Sequence, residues 1–403
     1  MGKAIGIDLG TTNSVMAFKD TAVKIIRNSE NQEQTRSCVS VINGEELVGK
    51  NAYNTLLKDP VNTILSVKRL MGGAIKDKMV QEMVNNEYYQ YQIVPLENGT
   101  DDSVAVELGG KQYTPEQISA KILSKLKADA REKHGEVTHA VITVPAYFTE
   151  KQKNATIRAA QLAGLKLQQL LPEPTAAAIA YGADNLKEGE QKTVLIYDFG
   201  GGTFDLSILS IADGQYIEAG TGGNRWLGGD DIDAELQKLV KEKVCEDYDI
   251  SDLDVLVNNL TKKQKISFTG QMKMKTEEAK IELSSAKFAD VDIDNLLKDE
   301  NEEVIDINVT ITKDELELIV KPLITRSIDL IEILLKESNY DMTMIDNILL
   351  VGGTSCIPLV KQMLSEKYGA DKIMLSEKPM LAIAEGAAIM SHRLGDTFEA
   401  DTD

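Results

Sequence analysis

The sequence predicts an α/β protein of two related lobes, and three observations support this prediction. Segments of β-branched or alternating apolar residues alternate with long segments of helical periodicity, which is typical of layered α/β folds. A strand, a glycine turn and a second strand occur twice, about 190 residues apart. With 403 residues, the chain is also long enough for two or three folding units.

The two copies of this repeat are expected as strand pairs over 5–18 and 194–209, each folded at a glycine-rich turn. In each copy the first strand ends in an aspartate, Asp8 in one and Asp198 in the other. Duplicated lobes that face each other leave a cleft between them, and such a cleft is the usual place for a ligand.

Two capping boxes mark helix starts between the repeats. Thr114 and Gln117 have the spacing in which each side chain bonds the other residue's backbone N–H, and so do Thr149 and Gln152. Pro115 fits the first helical position after Thr114. The expected elements are a helix over 115–135, a strand over 139–144 that stops at Pro145, and a helix over 150–164.

A third glycine turn follows near the end of the chain, where a buried strand over 345–351 breaks at Gly352 and Gly353 before a helix around 357–360. Open α/β sheets bind ligands at such carboxyl ends of strands. More polar stretches interrupt both halves and are interpreted as insertions that wall the cleft. The predicted division is lobe I core, 1–38 and 114–187; lobe I insertion, 39–113; lobe II core with a closing C-terminal helix, 188–227 and 307–403; and lobe II insertion, 228–306.

Composition narrows the class of partner. A formal net charge of −20 and a pI of about 4.7 disfavour nucleic acid or an anionic membrane as the main partner. The separated cysteines Cys38, Cys245 and Cys356 favour neither a disulfide framework nor a zinc site. No apolar run reaches the roughly 18 residues of a membrane helix, and the start lacks a signal-peptide core. We therefore expect a monomeric protein of the reducing cytoplasm.

Glycine turns of this kind suit a phosphate ligand. Without a Cβ, the backbone N–H groups can approach oxygen atoms, and a run of such amides forms an anion-binding concavity. Asp8 and Asp198 would then lie near phosphates, where a carboxylate needs a cation between, and Mg²⁺ bound largely through water is expected. A single turn of this kind is most often only a turn, whereas two matched copies favour phosphate binding. Neither a P-loop nor a protein-kinase catalytic loop is present.

Five motifs in register resemble the seventy-kilodalton heat-shock chaperone family of the DnaK type. The resemblance covers nearly the whole chain and implies its nucleotide-binding domain, an actin-like (ribonuclease H-like) ATPase. Each of the two lobes would then have a mixed sheet with flanking helices, and each would carry one inserted subdomain. The motifs are IDLGTTNS at 7–14, VITVPAYF at 141–148, EPTAAAIAYG at 173–182, DFGGGTFD at 198–205 and LVGG at 350–353.

The resemblance also implies roles for individual residues. Lys68 matches the lysine that contacts the γ-phosphate, Glu173 and Asp198 match carboxylates that position the magnesium shell and the attacking water, and Thr203 matches a hydroxyl near the γ-phosphate. The implied metal positions are Asp8, Glu173 and Asp198. The implied nucleotide contacts are Gly10, Thr11, Thr12, Asn13, Gly200, Gly201, Gly202, Thr203, Gly229, Glu277, Lys280, Ser284, Gly352 and Gly353.

Taken without the resemblance, the same residues have plainer interpretations. Lys68 is then a surface lysine, Glu173 is an acid at a helix start, and the helix expected over 276–285 has a solvated charged face. The chain also departs from the family's pattern. Cys356 stands where an arginine commonly stacks on adenine, and Met380 replaces an aspartate near the nucleoside. The segment 224–226 reads Asn-Arg-Trp instead of Asp-Thr-His, and Pro172 replaces an asparagine before Glu173. These changes leave adenine affinity and turnover open.

The function implied is that of a chaperone motor that binds ATP or ADP with Mg²⁺, with K⁺ as a further candidate ion, and hydrolyses ATP slowly. A J-domain co-chaperone and a nucleotide-exchange factor are the implied partners. Unfolded peptide would bind only through a β domain beyond this chain. The chain itself would then be either an excised domain or a naturally short relative. Three alternatives stay open: a small-molecule kinase, a filament-forming actin relative, and a nucleotide sensor with little catalysis.

Overall fold

Two mixed β-sheets with one shared strand order form the centre of the molecule. The computed structural model describes residues 3–86, 89–100, 102–298, 303–396 and 398. The first half contains β1 (Lys3–Asp8), β2 (Asn13–Lys19), β3 (Val23–Ile25), β4 (Thr35–Arg36), β5 (Val39–Ile42), β6 (Glu45–Val48), α1 (Lys50–Asn54), β7 (Thr63–Ile64), α2 (Lys78–Val84), β8 (Ile93–Val94), β9 (Ala105–Leu108), β10 (Lys111–Tyr113), α3 (Pro115–His134), β11 (Val137–Val144), α4 (Glu150–Leu162), β12 (Lys166–Pro172) and α5 (Glu173–Ala180).

The second half has the same succession of elements with a different insertion. It contains β13 (Gln191–Phe199), β14 (Phe204–Ala212), β15 (Gln215–Asn224), α6 (Gly229–Asp247), α7 (Leu253–Asn258), α8 (Lys262–Glu282), β16 (Phe288–Lys298), β17 (Val304–Thr312), α9 (Lys313–Glu337), β18 (Asn347–Val351), α10 (Pro358–Tyr368), β19 (Ile373–Leu375) and α11 (Ala382–Leu394). Short 3-10 helices join several of these elements.

The two sheets correspond strand for strand. The first has the order β12-β11-β1-β2-β3, with β4 also paired to β2, and the second has the order β19-β18-β13-β14-β15. In each, the strand that opens the half is antiparallel to the next strand and parallel to a later one. The connecting helices match as well, α3 with α9, α4 with α10 and α5 with α11. The duplicated α/β fold predicted from the repeat is confirmed.

Small residues let two helices pack between the sheets. α5 and α11 share a buried core with residues of both sheets. A Cβ on Gly386 would lie 1.8 Å from the carbonyl oxygen of Ala176, and a Cβ on Gly6 would lie 2.2 Å from the backbone nitrogen of Ala388. Only glycine permits backbones to approach so closely. Because α11 lies against β1 and β2, we assign this helix by packing to the first sheet.

The predicted helix starts are present. The side chains of Thr114 and Thr149 cap α3 and α4, and each capping box is complete. Gly135 ends α3, as expected. Both helix starts could be predicted because a capping box is a contact between residues three positions apart.

Several predicted boundaries differ from the structure. The strand expected from 345 begins at Asn347, the strand expected from 139 begins at Val137, and the helix expected to 164 ends at Leu162. The strand expected to end at Asp198 continues to Phe199. The helix expected over 276–285 ends at Glu282, so Ser284 lies beyond it. There the hydroxyls of Ser284 and Ser285 donate to carbonyls of the last helical turn, a local bond by which serine competes with helical structure.

The insertions have small sheets of their own, two in the first and one in the second among the described residues. The first contains the sheets β6-β5-β7 and β10-β9-β8, and the second contains α6, α7, α8 and the hairpin β16-β17. The predicted domain limits remain a proposal, and the residues 1–2, 87–88, 101, 299–302, 397 and 399–403 that they include lie outside the described residues. Within the described chain, no helix combines the length and apolar character needed to cross a membrane.

Candidate active site

One cleft of about 450 Å³ is lined by residues of both halves. Its volume is within the usual range of small-ligand sites, which is roughly 300 to 1,000 Å³. Every residue for which the sequence predicted a site role lies on its lining: Asp8, Gly10, Thr11, Thr12, Asn13, Lys68, Glu173, Asp198, Gly200, Gly201, Gly202, Thr203, Gly229, Glu277, Lys280, Ser284, Gly352 and Gly353. The structure thus brings the whole predicted set together, and the role of each residue remains a prediction.

The two glycine turns face each other across this cleft. The turn between β1 and β2 carries Thr12, and a Cβ on Gly201 in the turn between β13 and β14 would lie 2.6 Å from its Oγ1. Side chains fix both turns from behind: Ser37 donates to the Gly10 carbonyl at 2.7 Å, and Thr354 donates to the Gly200 carbonyl at 2.8 Å. Two turns held in this way can present backbone amides to one anion from opposite sides.

The third glycine turn closes the same region. The backbone N–H of Gly352 donates to the carbonyl of Pro379 at 3.3 Å, which ties the end of β18 to the start of α11. Gly352 has a φ of +85°, and a Cβ there would lie 2.6 Å from Oδ1 of Asp198. A side chain at this position would therefore enter the space beside that carboxylate.

Carboxylates crowd the floor of the cleft. Asp198 and Asp205 are directly opposite each other on β13 and β14, Glu173 is the first residue of α5, and Asp8 ends β1. Desolvation, followed by the charge of Glu173, raises the pKa of Asp8 and of Asp205 to about 7. The same two causes hold the pKa of Asp198 well above its ordinary value. Each carboxylate thus opposes ionisation of its neighbours.

Lys68 is the cation among these carboxylates. It lies in a short 3-10 helix, Val67–Leu70, and is 9% exposed, so the surface-lysine interpretation is wrong. Its Nζ donates to Oε1 of Glu173 at 2.6 Å. Burial works against its charge, but Glu173 and Asp8 outweigh burial and raise the pKa of Lys68. The ammonium is therefore fixed and charged beside the two turns.

This donor set fits a hydrated divalent cation. Four carboxyl groups face one ammonium, so their full ionisation would leave an excess of negative charge that a cation could neutralise. Among the described residues, no group of three or more His, Cys, Asp or Glu side chains is arranged to hold a metal directly. Mg²⁺ usually keeps several of its waters and binds few protein oxygens, so carboxylates at a water's distance suit it. Asp8, Glu173 and Asp198 are the residues that would hold it.

Sequence reasoning missed Asp205 and Arg69. Thr203 donates to Oδ2 of Asp205 at 2.8 Å, so the hydroxyl predicted to contact phosphate is engaged by a carboxylate. Arg69 donates to the Gly202 carbonyl at 2.6 Å and thereby fixes the second turn. Asp205 could have been found, because a four-residue turn after Asp198 and Phe199 places it opposite Asp198.

The charged residues of α8 are engaged within the protein. Glu277 accepts hydrogen bonds from Arg36 and from the Tyr53 hydroxyl, the latter at 2.9 Å. Burial opposes its ionisation, but Arg36 prevails and lowers the pKa of Glu277. Lys280 pairs with Asp233 at 2.8 Å and donates to the Gly229 carbonyl at 3.1 Å. The solvated-face interpretation of this helix is therefore wrong.

The unusual segment 224–226 contacts the first half. The indole Nε1 of Trp226 donates to Glu82 on α2 at 3.0 Å, and the Arg69 guanidinium lies 4.5 Å from the indole ring centre. Arg225 lies over the ring of Tyr147 at 5.0 Å. The segment therefore joins the end of β15 to the first half beside the cleft. Pro172, which stands where the family usually has an asparagine, directly precedes α5. The first turn of this helix therefore has no side-chain cap from position 172.

Comparisons with known proteins agree with this geometry. The family model described as Hsp70 protein matches residues 4–401. One curated relative, the chaperone protein DnaK of Psychrobacter cryohalolentis, is 39% identical over an alignment of 401 positions that covers 96% of this chain and 58% of the relative. The chain thus spans less than two thirds of that relative's length. Members of the family are ATPases, and the small-molecule kinase and sensor alternatives find no support. By its family match and by its relative, the chain belongs to the Hsp70 family.

Proposed function

We propose that the cleft binds Mg-ATP and hydrolyses it slowly, as the motor domain of an ATP-dependent chaperone. Membership in the Hsp70 family supports this proposal. The observation that carries it is the set of four carboxylates and one buried lysine beneath two facing glycine turns in a single cleft. Such a set suits a triphosphate and its counter-ion, because amides and an ammonium offset the phosphate charge.

Phosphoryl transfer needs positioning and charge stabilisation more than covalent chemistry. In this proposal the amides of the two turns hold the phosphates from opposite sides. Lys68, fixed by Glu173 at 2.6 Å, lies where an ammonium would stabilise charge that develops on the γ-phosphate. A bound Mg²⁺ would supply further neutralisation of phosphate charge. We propose K⁺ as a second cation of the site.

A carboxylate of this cluster would orient the attacking water. Glu173 accepts from Lys68 through Oε1, and it begins α5, where the positive end of the helix dipole favours a charged carboxylate. Asp198 and Asp205 lie opposite each other at the base of the second turn. Their mutual repulsion keeps the cluster ready to accept a cation or a proton.

The nucleotide state would be transmitted through the two halves. α5 and α11 pack between the sheets, so a rotation of one half relative to the other passes through their shared core. We propose that ATP favours the closed arrangement and that hydrolysis relaxes it. A J-domain co-chaperone, a nucleotide-exchange factor and a peptide-binding domain outside this chain complete the proposal. The free thiols of Cys38, Cys245 and Cys356 suit the reducing cytoplasm as its compartment.

Phosphate release from Mg-ATP by purified wild type, Asp198→Asn and Asp329→Asn tests this function. Asp329 is exposed on α9 and serves as the matched control. We expect slow turnover in the wild type and in the control, and a loss of about 10² or more in Asp198→Asn with an unchanged circular dichroism spectrum. Turnover in Asp198→Asn equal to the wild type would contradict the assignment.

A further inference from the structure

One side of the cleft has an apolar wall. Three segments build it: the last turn of α8, the turn before α10, and the 3-10 helix Pro379–Leu381 with the first turn of α11. Ile281 on α8 is 61% exposed, so a large apolar side chain is open to a ligand at the cleft margin. The apolar or weakly polar side chains of this wall are Ile281, Cys356, Ile357, Pro379, Met380 and Ile383.

The charged side chains next to this wall are already used. Arg36 and Tyr53 hold Glu277, and Asp233 with the Gly229 carbonyl holds Lys280. A ligand base that bonded either group would have to replace partners within the protein. Hydrogen bonds from these side chains to the edge of a base would therefore add little net binding free energy.

Ser284 is a further polar side chain on this side of the cleft, and Thr354, in the turn before α10, already donates to the Gly200 carbonyl. Its hydroxyl makes one long bond, 3.4 Å, to the carbonyl of Lys280. A serine hydroxyl rotates and can either donate or accept. It can therefore serve the edge of adenine or of guanine, which present opposite patterns of donor and acceptor, without preferring one.

We propose that this wall binds the base mainly by apolar contact, with no side chain that selects one purine, so the site discriminates poorly between purines and accepts GTP as well as ATP. This inference rests on the proposed function, because it assumes that the phosphates occupy the turns. Sites that hydrogen-bond a substrate group can reject an analogue lacking it by about 10⁴-fold or more, whereas apolar pockets discriminate far less. We expect the dissociation constants for Mg-ATP and Mg-GTP to differ by less than about tenfold.

Titration calorimetry of the full chain with Mg-ATP and with Mg-GTP tests the proposal. Dissociation constants within tenfold of each other support it. Tight ATP binding with GTP tenfold or more weaker would overturn the inference and leave the proposed function intact. Absence of binding of both nucleotides would overturn the proposed function and the inference together.

A substitution in the wall separates apolar contact from base reading. Ile281→Ala is at an exposed helical position where alanine is favourable, so the variant should fold. We expect it to weaken the binding of ATP and of GTP by the same factor, about three- to tenfold, because an apolar contact acts on either base alike. Ile333→Ala, at a 50% exposed position on α9, is the matched control and should change neither constant. Loss of only one nucleotide's affinity in Ile281→Ala would overturn the proposal.

Discussion

The two halves have the same scaffold and supply different chemistry. In the first half, the strand and helix at the end of the repeat, β12 and α5, place Glu173 beside Lys68. At the equivalent place in the second half, between β19 and α11, the chain has Pro379 and Met380 on the apolar wall. Both opening hairpins have an aspartate just before the glycine turn: Asp8 is the last residue of β1, and Asp198 is the next-to-last residue of β13.

This contrast shows what duplication contributes to a site. Shared topology brings two turns and two aspartates to one cleft, whereas the remaining positions are free to differ. We infer that both halves supply carboxylates for phosphoryl transfer, that the first half alone adds the ammonium of Lys68, and that the second half supplies the contact surface for the base. Variants of the charged residues should therefore change turnover, and variants of the apolar wall should change the affinity for the base.

The largest expected effect is a loss of turnover when Lys68 of the first half is removed. Lys68→Ala removes the ammonium that faces four carboxylates, and we expect the rate of phosphate release to fall by about 10² to 10³. Single-turnover hydrolysis of Mg-ATP measures it, with circular dichroism to confirm folding. Lys58→Ala, at an exposed lysine of the first insertion, should hydrolyse at the wild-type rate. A wild-type rate in Lys68→Ala would refute the division of roles.

The second effect is a pH dependence of stability that comes from Asp205. Its pKa is about 7 in the folded protein and near 3.8 ordinarily, so between those values the folded state binds more protons than the unfolded state. The free energy of unfolding should therefore decrease as pH rises from about 4 to 7 and then level off. Asp8 and Asp198, whose pKa values are also raised, contribute a decrease of the same sign. Asp205→Asn should remove only the share of Asp205 and be more stable than wild type at pH 8, by about 1 to 2 kcal/mol, and not at pH 4.

Urea unfolding of the metal-free protein at pH 4, 6 and 8 provides the measurement for Asp205. The exposed control, Asp329→Asn, should follow the wild type at each pH. An equal difference between Asp205→Asn and wild type at all three pH values would show that the pKa of Asp205 is the same in the folded and unfolded states. The conclusion that burial and neighbouring carboxylates raise this pKa would then be wrong.

A smaller effect, on the dissociation rate of ATP, is expected from the ion pair that joins the two halves. Arg36 on β4 pairs with Glu277 on α8, and the side chains are only 21% and 15% exposed. Arg36→Ala should let the cleft open more readily and raise the dissociation rate of ATP by about three- to tenfold. Stopped-flow displacement of a fluorescent ATP measures this rate. Lys121→Ala removes a pair with Glu46 inside the first half, and an equal rise in that control would contradict the explanation.

The smallest effect tests the scaffold itself. The equivalent helices α3 and α9 both begin with complete capping boxes, at Thr114 and at Thr312. Thr114→Ala and Thr312→Ala should each lower the free energy of unfolding by about 1 kcal/mol. Turnover at 25 °C should be unchanged, since neither threonine lines the cleft. Loss of turnover in a folded variant would show that scaffold and site are coupled.

Local signals made most of the fold predictable. Capping boxes, strand ends and glycine turns depend on residues a few positions apart, so the duplicated hairpins and the starts of α3 and α4 followed from sequence. Ser284 was placed wrongly in a helix because serine's bonds to nearby carbonyls end α8 early. The role of Lys68 came only from the family resemblance, since spacing alone favours a surface lysine.

Contacts between the halves could not be predicted. Arg36 and Glu277 are 241 residues apart, and no periodicity relates them. The indole bond from Trp226 to Glu82 depends on how the end of β15 meets α2. These contacts arise from tertiary packing, which brings together side chains that a local pattern does not connect.

The central claim is that carboxylates from both halves hold one metal nucleotide between the two turns. Titration calorimetry of ATP with and without Mg²⁺, on wild type, Asp8→Asn and Asp198→Asn, tests it most directly. We predict one ATP per chain, an affinity that Mg²⁺ raises by about tenfold or more in the wild type, and loss of most of that gain in both variants. A gain from Mg²⁺ that survives in either variant would contradict the account.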